Sequence, residues 1–347
     1  MTRFGAAEEN TSGQRLAVVV GTGRCGSTAL SDVLRIHPHV LSLSELFASL
    51  TPFPFPAGTM SGEDFIQFLN TPRPFATSVM RHGFWPKVSE EIRQTSEMPI
   101  LGAISVMVLP HLTDDPQRLF GDMRSELSKR RASPIADHYR ALFECLGRRF
   151  GTRVAVERSG FSLHLVPHIR KLFPDVRFAH LYRNGPDTSL SMSRHPVFQV
   201  LRVLREHAEH SGHDLSVEID ETFRHGEVDV RPILQAEVPV SAFGRMWSET
   251  IIEGLGYLAD VPKSQQSSFA FEDILDRPET ELTRLAEFLG IDPFPEWLKA
   301  GRAELDATRR GAAQDLPAQE LADLQASCEP GMRALADGSL SRECRRE

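Results

Sequence analysis

Positive charge is in short supply: 39 lysines and arginines stand against 47 aspartates and glutamates, a formal net charge of -8 over 347 residues. That balance argues against a nucleic-acid binder working through bulk electrostatics. It leaves an anionic nucleotide open, because a few arginines in a pocket outweigh a distant acidic surface. Cysteine is scarce too. Cys25, Cys145, Cys328 and Cys344 are scattered without metal-ligand or disulfide spacing, which suits a reducing compartment. No apolar run approaches the roughly 18 residues of a membrane span. Residues 1–14 are polar and carry no apolar signal core. A soluble, cytoplasmic protein is therefore the expectation. No internal repeat is present, and the length allows one large α/β domain with a sizeable core.

What the chain does have is an alternation of apolar runs and helical patterns. Residues 15–20 (RLAVVV) read as a buried strand. A helix over 29–36 follows, stopped by His37-Pro38, and 40–43 reads as a second strand closing at Ser44-Glu45. The Pro-rich run 51–56 opens a mainly helical insertion, with helices expected over 63–69 and 137–149. Then come a strand at 153–156, a helix at 163–173, a strand at 177–182 and a helix at 186–194. A polar, His-rich stretch spans 195–237. It precedes a helix over 241–258, a strand at 267–271 and a helix at 278–289. Such alternation predicts an α/β fold with a central, mostly parallel sheet covered on both faces. Ligands of these sheets sit at the carboxyl ends of the strands, where the loops at Gly21, Ser44, Glu157 and Arg183 begin.

Strand, glycine-rich turn and helix form an arrangement that offers backbone N–H groups to an anion. Gly21, Gly23 and Gly26 permit close approach and unusual torsions, and Ser27 and Thr28 add hydroxyls. Gly21 and Gly26 match the two glycines of G-x-x-x-x-G-K-[ST], but Ser27 stands where that motif has lysine. The positive charge sits inside the loop, at Arg24. No apolar strand ending in Asp offers a persuasive magnesium ligand. Read blandly, the segment is a tight turn between a strand and a helix.

Residues 21–30 (GTGRCGSTAL) resemble the 5′-phosphosulfate loop of the sulfotransferases that bind 3′-phosphoadenosine 5′-phosphosulfate, especially tyrosylprotein and bacterial glycolipid types with Arg in the loop. The resemblance implies a P-loop-like fold and donor contacts from Gly23, Arg24, Cys25, Gly26, Ser27 and Thr28. Residues 178–191 (FAHLYRNGPDTSLS) are similar to the family's 3′-phosphate signature, a strand-terminal Arg183 followed eight residues on by Ser191. Arginine can fork onto a phosphate in bidentate fashion. Alone, Arg183 reads as an ordinary surface residue; two such loops, each after its own strand, make the case. Glu157-Arg158-Ser159 resembles the family's middle strand end, with Arg158 near phosphosulfate or acceptor. Residues 269–291 look like its late strand and helix, where Phe271 and Leu289 are expected in the core. Arg309-Arg310-Gly311 resembles the basic loop over the 3′-phosphate. The resemblance covers about half the chain, in blocks.

Sulfuryl transfer needs in-line geometry, stabilisation of spread negative charge and a base for the acceptor hydroxyl. Arg24 stays protonated and suits the departing 5′-phosphate. Glu45, just past the second strand, is the candidate base, with apolar neighbours expected to raise its pKa. Its bland alternative is a helix-capping or solvated residue. His195 is the rival, set against a structural histidine, and His82 is a third option. His207, His210 and His213 could share a helix face, but lack a cysteine or adjacent acidic cluster, so no metal is expected. The run 51–56 is expected to line an acceptor entrance. Trp85, Trp247 and Trp297 are expected in or beside the core, with Trp247 towards the cofactor side.

The reading is one sulfotransferase domain: a cofactor-binding core at 15–50 and 151–300, with variable acceptor and lid regions at 51–150 and 195–240. Its product would be adenosine 3′,5′-bisphosphate. The acceptor would be a small or carrier-bound hydroxyl compound (a carbohydrate, a lipid or a natural-product alcohol), with no nucleic-acid partner and the oligomeric state open. The alternatives are a P-loop ATP-dependent kinase and a catalytically inactive nucleotide-binding scaffold.

Overall fold

The computed structural model describes residues 14–82, 102–306 and 310–343. Its strands are β1 (Arg15–Val20), β2 (Val40–Ser44), β3 (Thr59–Met60), β4 (Ser133–Pro134), β5 (Val154–Arg158), β6 (Arg177–Tyr182) and β7 (Gln266–Ala270). Five of them form one sheet in the order β2-β5-β1-β6-β7, with every neighbouring pair parallel. The short β3 and β4 pair antiparallel, apart from that sheet. Parallel neighbours need crossover connections, and the intervening helices supply them.

Alternate residues of each strand enter two different cores, as a period of two requires. Val18, Val20, Leu41 and Leu43 point to one face; Ala17, Val19, Val40 and Leu181 point to the other. Both sets are buried, which is why these strands read as continuous apolar runs. The second face is covered by α1 (Ser27–Arg35) and by helices Pro278–Leu289 and Pro295–Glu304. Trp297 seals that layer, donating its indole N–H to the Val33 carbonyl at 2.8 Å. The first face carries helices Ile135–Phe150 and Val240–Ala259, with Trp247 fully buried among them.

The insertion is mainly helical as expected, with Gly62–Asn70, Pro74–Arg81 and Pro116–Leu127 packed on the first face. Trp85 lies outside the described residues. The polar stretch 195–237 contains helices Pro196–Ser211, Leu215–Phe223 and Arg231–Leu234. Phe198, Leu201, Leu204 and Ala208 make a buried stripe there, while Arg202–Glu206 and Arg205–Glu209 pair on the wet side. The helix Ala318–Glu343 was not anticipated; it lies along Val240–Ala259, with Gly331 N–H donating to Ser248 Oγ at 3.2 Å. Among the described residues no helix is long and apolar enough to cross a membrane.

Two boundaries matter for the site. β5 runs on to Arg158, so Glu157 and Arg158 belong to a central strand rather than to the loop after it. β7 stops at Ala270, and Phe271 opens the helix Phe271–Asp276.

Candidate active site

Between β1 and α1 the chain adopts left-handed torsions at Gly23 (φ 74°), Arg24 (φ 56°) and Gly26 (φ 88°). A Cβ on Gly26 would lie 2.2 Å from the Phe271 ring, and one on Gly23 would lie 2.3 Å from the Phe198 ring. Glycine is thus required at both positions by torsion and by space. Arg24 bears the cost of a left-handed side-chain residue, of order 1–2 kcal/mol. The turn ends at the amino terminus of α1, whose first N–H groups receive no side-chain cap from Gly26. Ser27 is buried and Thr28 exposed at that end. Cys25 points into the core, and burial pushes its thiol up to about 11. Any contact it makes with an anion passes through its backbone.

The second segment reaches the first. Arg24 Nε donates to Ser191 Oγ at 3.0 Å, joining the loop to the helix Gly185–Ser193. Arg183, just past β6, is buried and donates to Asp187 Oδ2 at 3.2 Å. Asp187 also accepts from Gly311 N–H at 2.8 Å and Ala313 N–H at 3.0 Å. The Arg310–Gly311 segment is therefore fastened over the end of β6. Arg310 itself is bound to Asp276 Oδ1 at 2.8 Å and to the Glu272 carbonyl at 2.9 Å. Arg309 lies outside the described residues. The sequence reading passed over Asp187, whose only local signal is an acidic residue in a first helical turn.

The third segment is the exit of β2. Glu45 has a left-handed backbone (φ 62°), and its carboxylate is 19% exposed. It accepts from Arg158 Nη1 and from Gly160 N–H, the latter at 3.0 Å. Arg158 also reaches Ser44 Oγ. Glu45 is set against a guanidinium and a backbone N–H, not the apolar neighbours expected. The carboxyl that burial does raise, to about 8, is the adjacent Glu157, which is wholly inaccessible. Its acceptor bonds and the Arg158 charge pull the other way without overcoming burial.

His195 caps the helix Pro196–Ser211, its ring edge-on to Phe198 at 5.5 Å. Burial first, then the Arg24 charge, lowers its pKa to about 3. His82 instead faces Asp229 at 3.6 Å. Of His207, His210 and His213, His210 bonds the Glu206 carbonyl of its own helix at 2.6 Å, while His207 approaches Glu218 at 3.8 Å. Acidic neighbours do occur, since His213 lies 3.5 Å from Glu221 and 3.9 Å from Glu218. The next helix provides them, correcting the expectation from local sequence. Trp247 packs against Gly185, beneath the start of the helix that carries Ser191. Phe271 and Leu289 are core residues as expected, and the Phe271 ring lies 5.9 Å from the Arg183 guanidinium carbon. A cavity of about 380 Å³ lined by Arg15, Arg140 and Arg177 opens at the opposite, amino-terminal edge of the sheet.

A model of the family described as "Sulfotransferase family" matches residues 17–296. A sulfotransferase domain from the curacin biosynthetic pathway is 17% identical, with 92% of this chain and 99% of that one covered, at a TM-score of 0.49. A sulfotransferase domain from the Synechococcus PCC 7002 olefin synthase is 19% identical, covering 93% and 96%, with a TM-score of 0.47. Retinol dehydratase, solved with androsterone and the inactive cofactor PAP, is 12% identical, covering 93% and 80%, with a TM-score of 0.31. A search of curated protein sequences gave no match.

Proposed function

Because the chain belongs to the sulfotransferase family, we propose that it moves the sulfuryl group of 3′-phosphoadenosine 5′-phosphosulfate onto an acceptor hydroxyl. The observation that carries this reading is the hydrogen bond between Arg24 and Ser191, which joins the two anion-binding segments into one site. From Gly185 to Ser191 the helix rises about 9 Å at ~1.5 Å per residue, the scale of a single nucleotide. The left-handed turn and the uncapped amino end of α1 suit a phosphate group; Arg183 suits a second one.

The donor, when bound, supplies a sulfuryl group on a phosphate leaving group. The loop N–H groups and Arg24 neutralise charge on the 5′ side. Arg183 holds the 3′ side, with Asp187 and the Gly311 segment fixing its position. Glu45 takes the acceptor proton: its carboxylate is partly accessible, whereas Glu157 is sealed off. His195, with a pKa of about 3, is too weak a base to compete near neutrality. Residues 51–150 and 195–240 form the acceptor and lid sides of one domain. Phe53, 46% exposed, belongs to the Pro-rich run at its entrance, and Tyr139 anchors that run by donating to the Pro54 carbonyl at 2.6 Å. The acceptor class is a carbohydrate, a lipid or a natural-product alcohol.

Calorimetry with adenosine 3′,5′-bisphosphate and with magnesium-ATP tests the reading. Metal-free binding of the bisphosphate, weakened in Arg183→Ala, is expected; preference for magnesium-ATP would sink it. Glu45→Gln should keep the bisphosphate affinity while losing roughly 10²–10⁴ in kcat. Normal turnover by that variant would remove Glu45 as the base.

A further inference from the structure

Glu45 is an unlikely residue for the conformation it holds. Left-handed backbone is tolerated by Gly, Asn and Asp, and a long side chain there is disfavoured. Something must hold it, and α2 (Leu46–Ser49), the helix it opens, is a single turn that cannot stand alone. Its amino end is held by two side chains of the neighbouring strand exit. Phe47 N–H donates to Glu157 Oε1 at 3.2 Å, and Ala48 N–H donates to Ser159 Oγ at 3.0 Å. Ser159 in turn donates to Glu157 Oε1 at 2.6 Å, so one hydroxyl and one carboxyl oxygen make a closed clamp.

Resting on the reading of Glu45 as base, we propose that Glu157 and Ser159 are its positioning residues. They clamp the first turn of α2 and so hold Glu45 left-handed, with its carboxylate against Arg158 and the Gly160 N–H. The backbone of Glu45 is pinned on either side of that turn. Its N–H donates to the Arg158 carbonyl at 2.7 Å, and its carbonyl accepts from Ser49 N–H at 2.9 Å and Ser49 Oγ at 2.6 Å. Of the three N–H groups between, those of Phe47 and Ala48 bond side chains from the end of β5 and the turn just past it. A fully buried carboxyl is expensive, and Glu157 Oε2 has no hydrogen-bond partner among the described residues. The oxygen that is used faces the clamp. Because burial keeps this group protonated near neutrality, an amide should replace it in shape and charge.

The test uses the full chain and four variants: Glu157→Ala, Glu157→Gln, Ser159→Ala and Glu45→Gln. Amide hydrogen exchange reads the clamp, and bisphosphate release from the donor, with water as acceptor, reads turnover. In Glu157→Ala and Ser159→Ala, protection at Phe47 and Ala48 should fall by roughly 10-fold or more, while the bisphosphate Kd stays within about 2-fold. Turnover should fall about 10-fold or more in both, and Glu157→Gln should restore it to within about 2-fold of wild type. Should Glu157→Ala misfold, Ser159→Ala decides the same question, because it removes a hydroxyl and leaves the carboxyl. Unchanged protection and turnover in the alanine variants would overturn the proposal. Failure of the base reading looks different: Glu45→Gln then turns over like wild type, whatever the exchange pattern.

Discussion

The loop after β1 and the exit of β6, the two segments proposed to hold the donor, are built by opposite means. The first is made of backbone: three left-handed residues and the start of α1, with aromatic rings filling the space where side chains would project. The second is made of side chains, with the charge of Arg183 shared with Asp187, which also ties down Gly311 and Ala313. A backbone site is a matter of shape and is spoiled by added atoms. A side-chain site is a matter of charge and is spoiled by removed ones.

The sharpest way to break that contrast is Gly26→Val, which adds a branched side chain where φ is 88° and a ring already stands. Bisphosphate affinity should fall by about 10³-fold or more, with a loss of stability of several kcal/mol, ~3 or more. Calorimetry and thermal unfolding check both. Arg183→Ala should cost roughly 30–1,000-fold in bisphosphate Kd, about 2–4 kcal/mol. It should also weaken the fold by leaving Asp187 buried against fewer partners. If Gly26→Val binds normally and Arg183→Ala does not, the loop is only a turn.

The pH dependence of stability sharpens the contrast further. His111 is buried and His164 and His195 are half-buried, with pKa values lowered to about 4, 4 and 3, so the native state binds fewer protons than the unfolded chain below about pH 6.5. Stability should therefore fall as the solution is acidified through that window, by on the order of 3 kcal/mol per histidine at the low end. Glu157 acts in the other direction: with its pKa raised to about 8, its contribution is present in acid and lost as pH rises towards that value. Denaturant melts of Glu157→Gln should lose the decline that runs from about pH 4.5 to 8 while keeping the acid one. The smallest effect is expected of His195→Ala, which should change kcat by no more than about 3-fold, since so weak a base carries little of the proton transfer.

Legibility followed the same division. Buried strands and the glycine loop announce themselves locally, because apolar runs and glycines in sequence constrain backbone wherever they occur. Arg183 and Ser191 stood out through their resemblance to the family's 3′-phosphate signature, which lies on one strand end and the helix after it. Asp187, Glu157 and Ser159 were not readable as functional, since each acts on a segment far away in sequence, from residue 47 to residue 313. The surroundings of Glu45 were misjudged. Its flanking residues are apolar, yet the groups touching its carboxylate come from β5 and the turn beyond it. The helices within 195–237 were hidden by charge, because paired residues on the wet side mask a narrow buried stripe.

The two rings against the loop carry one more lesson. Phe198 and Phe271 are supplied by chain lying some 170 residues or more beyond Gly23 and Gly26, so the turn has a mould it does not itself encode. During synthesis the motif emerges before either ring that packs against it. On the proposed function, a fragment ending before residue 198 should possess every letter of the motif and hold no bisphosphate.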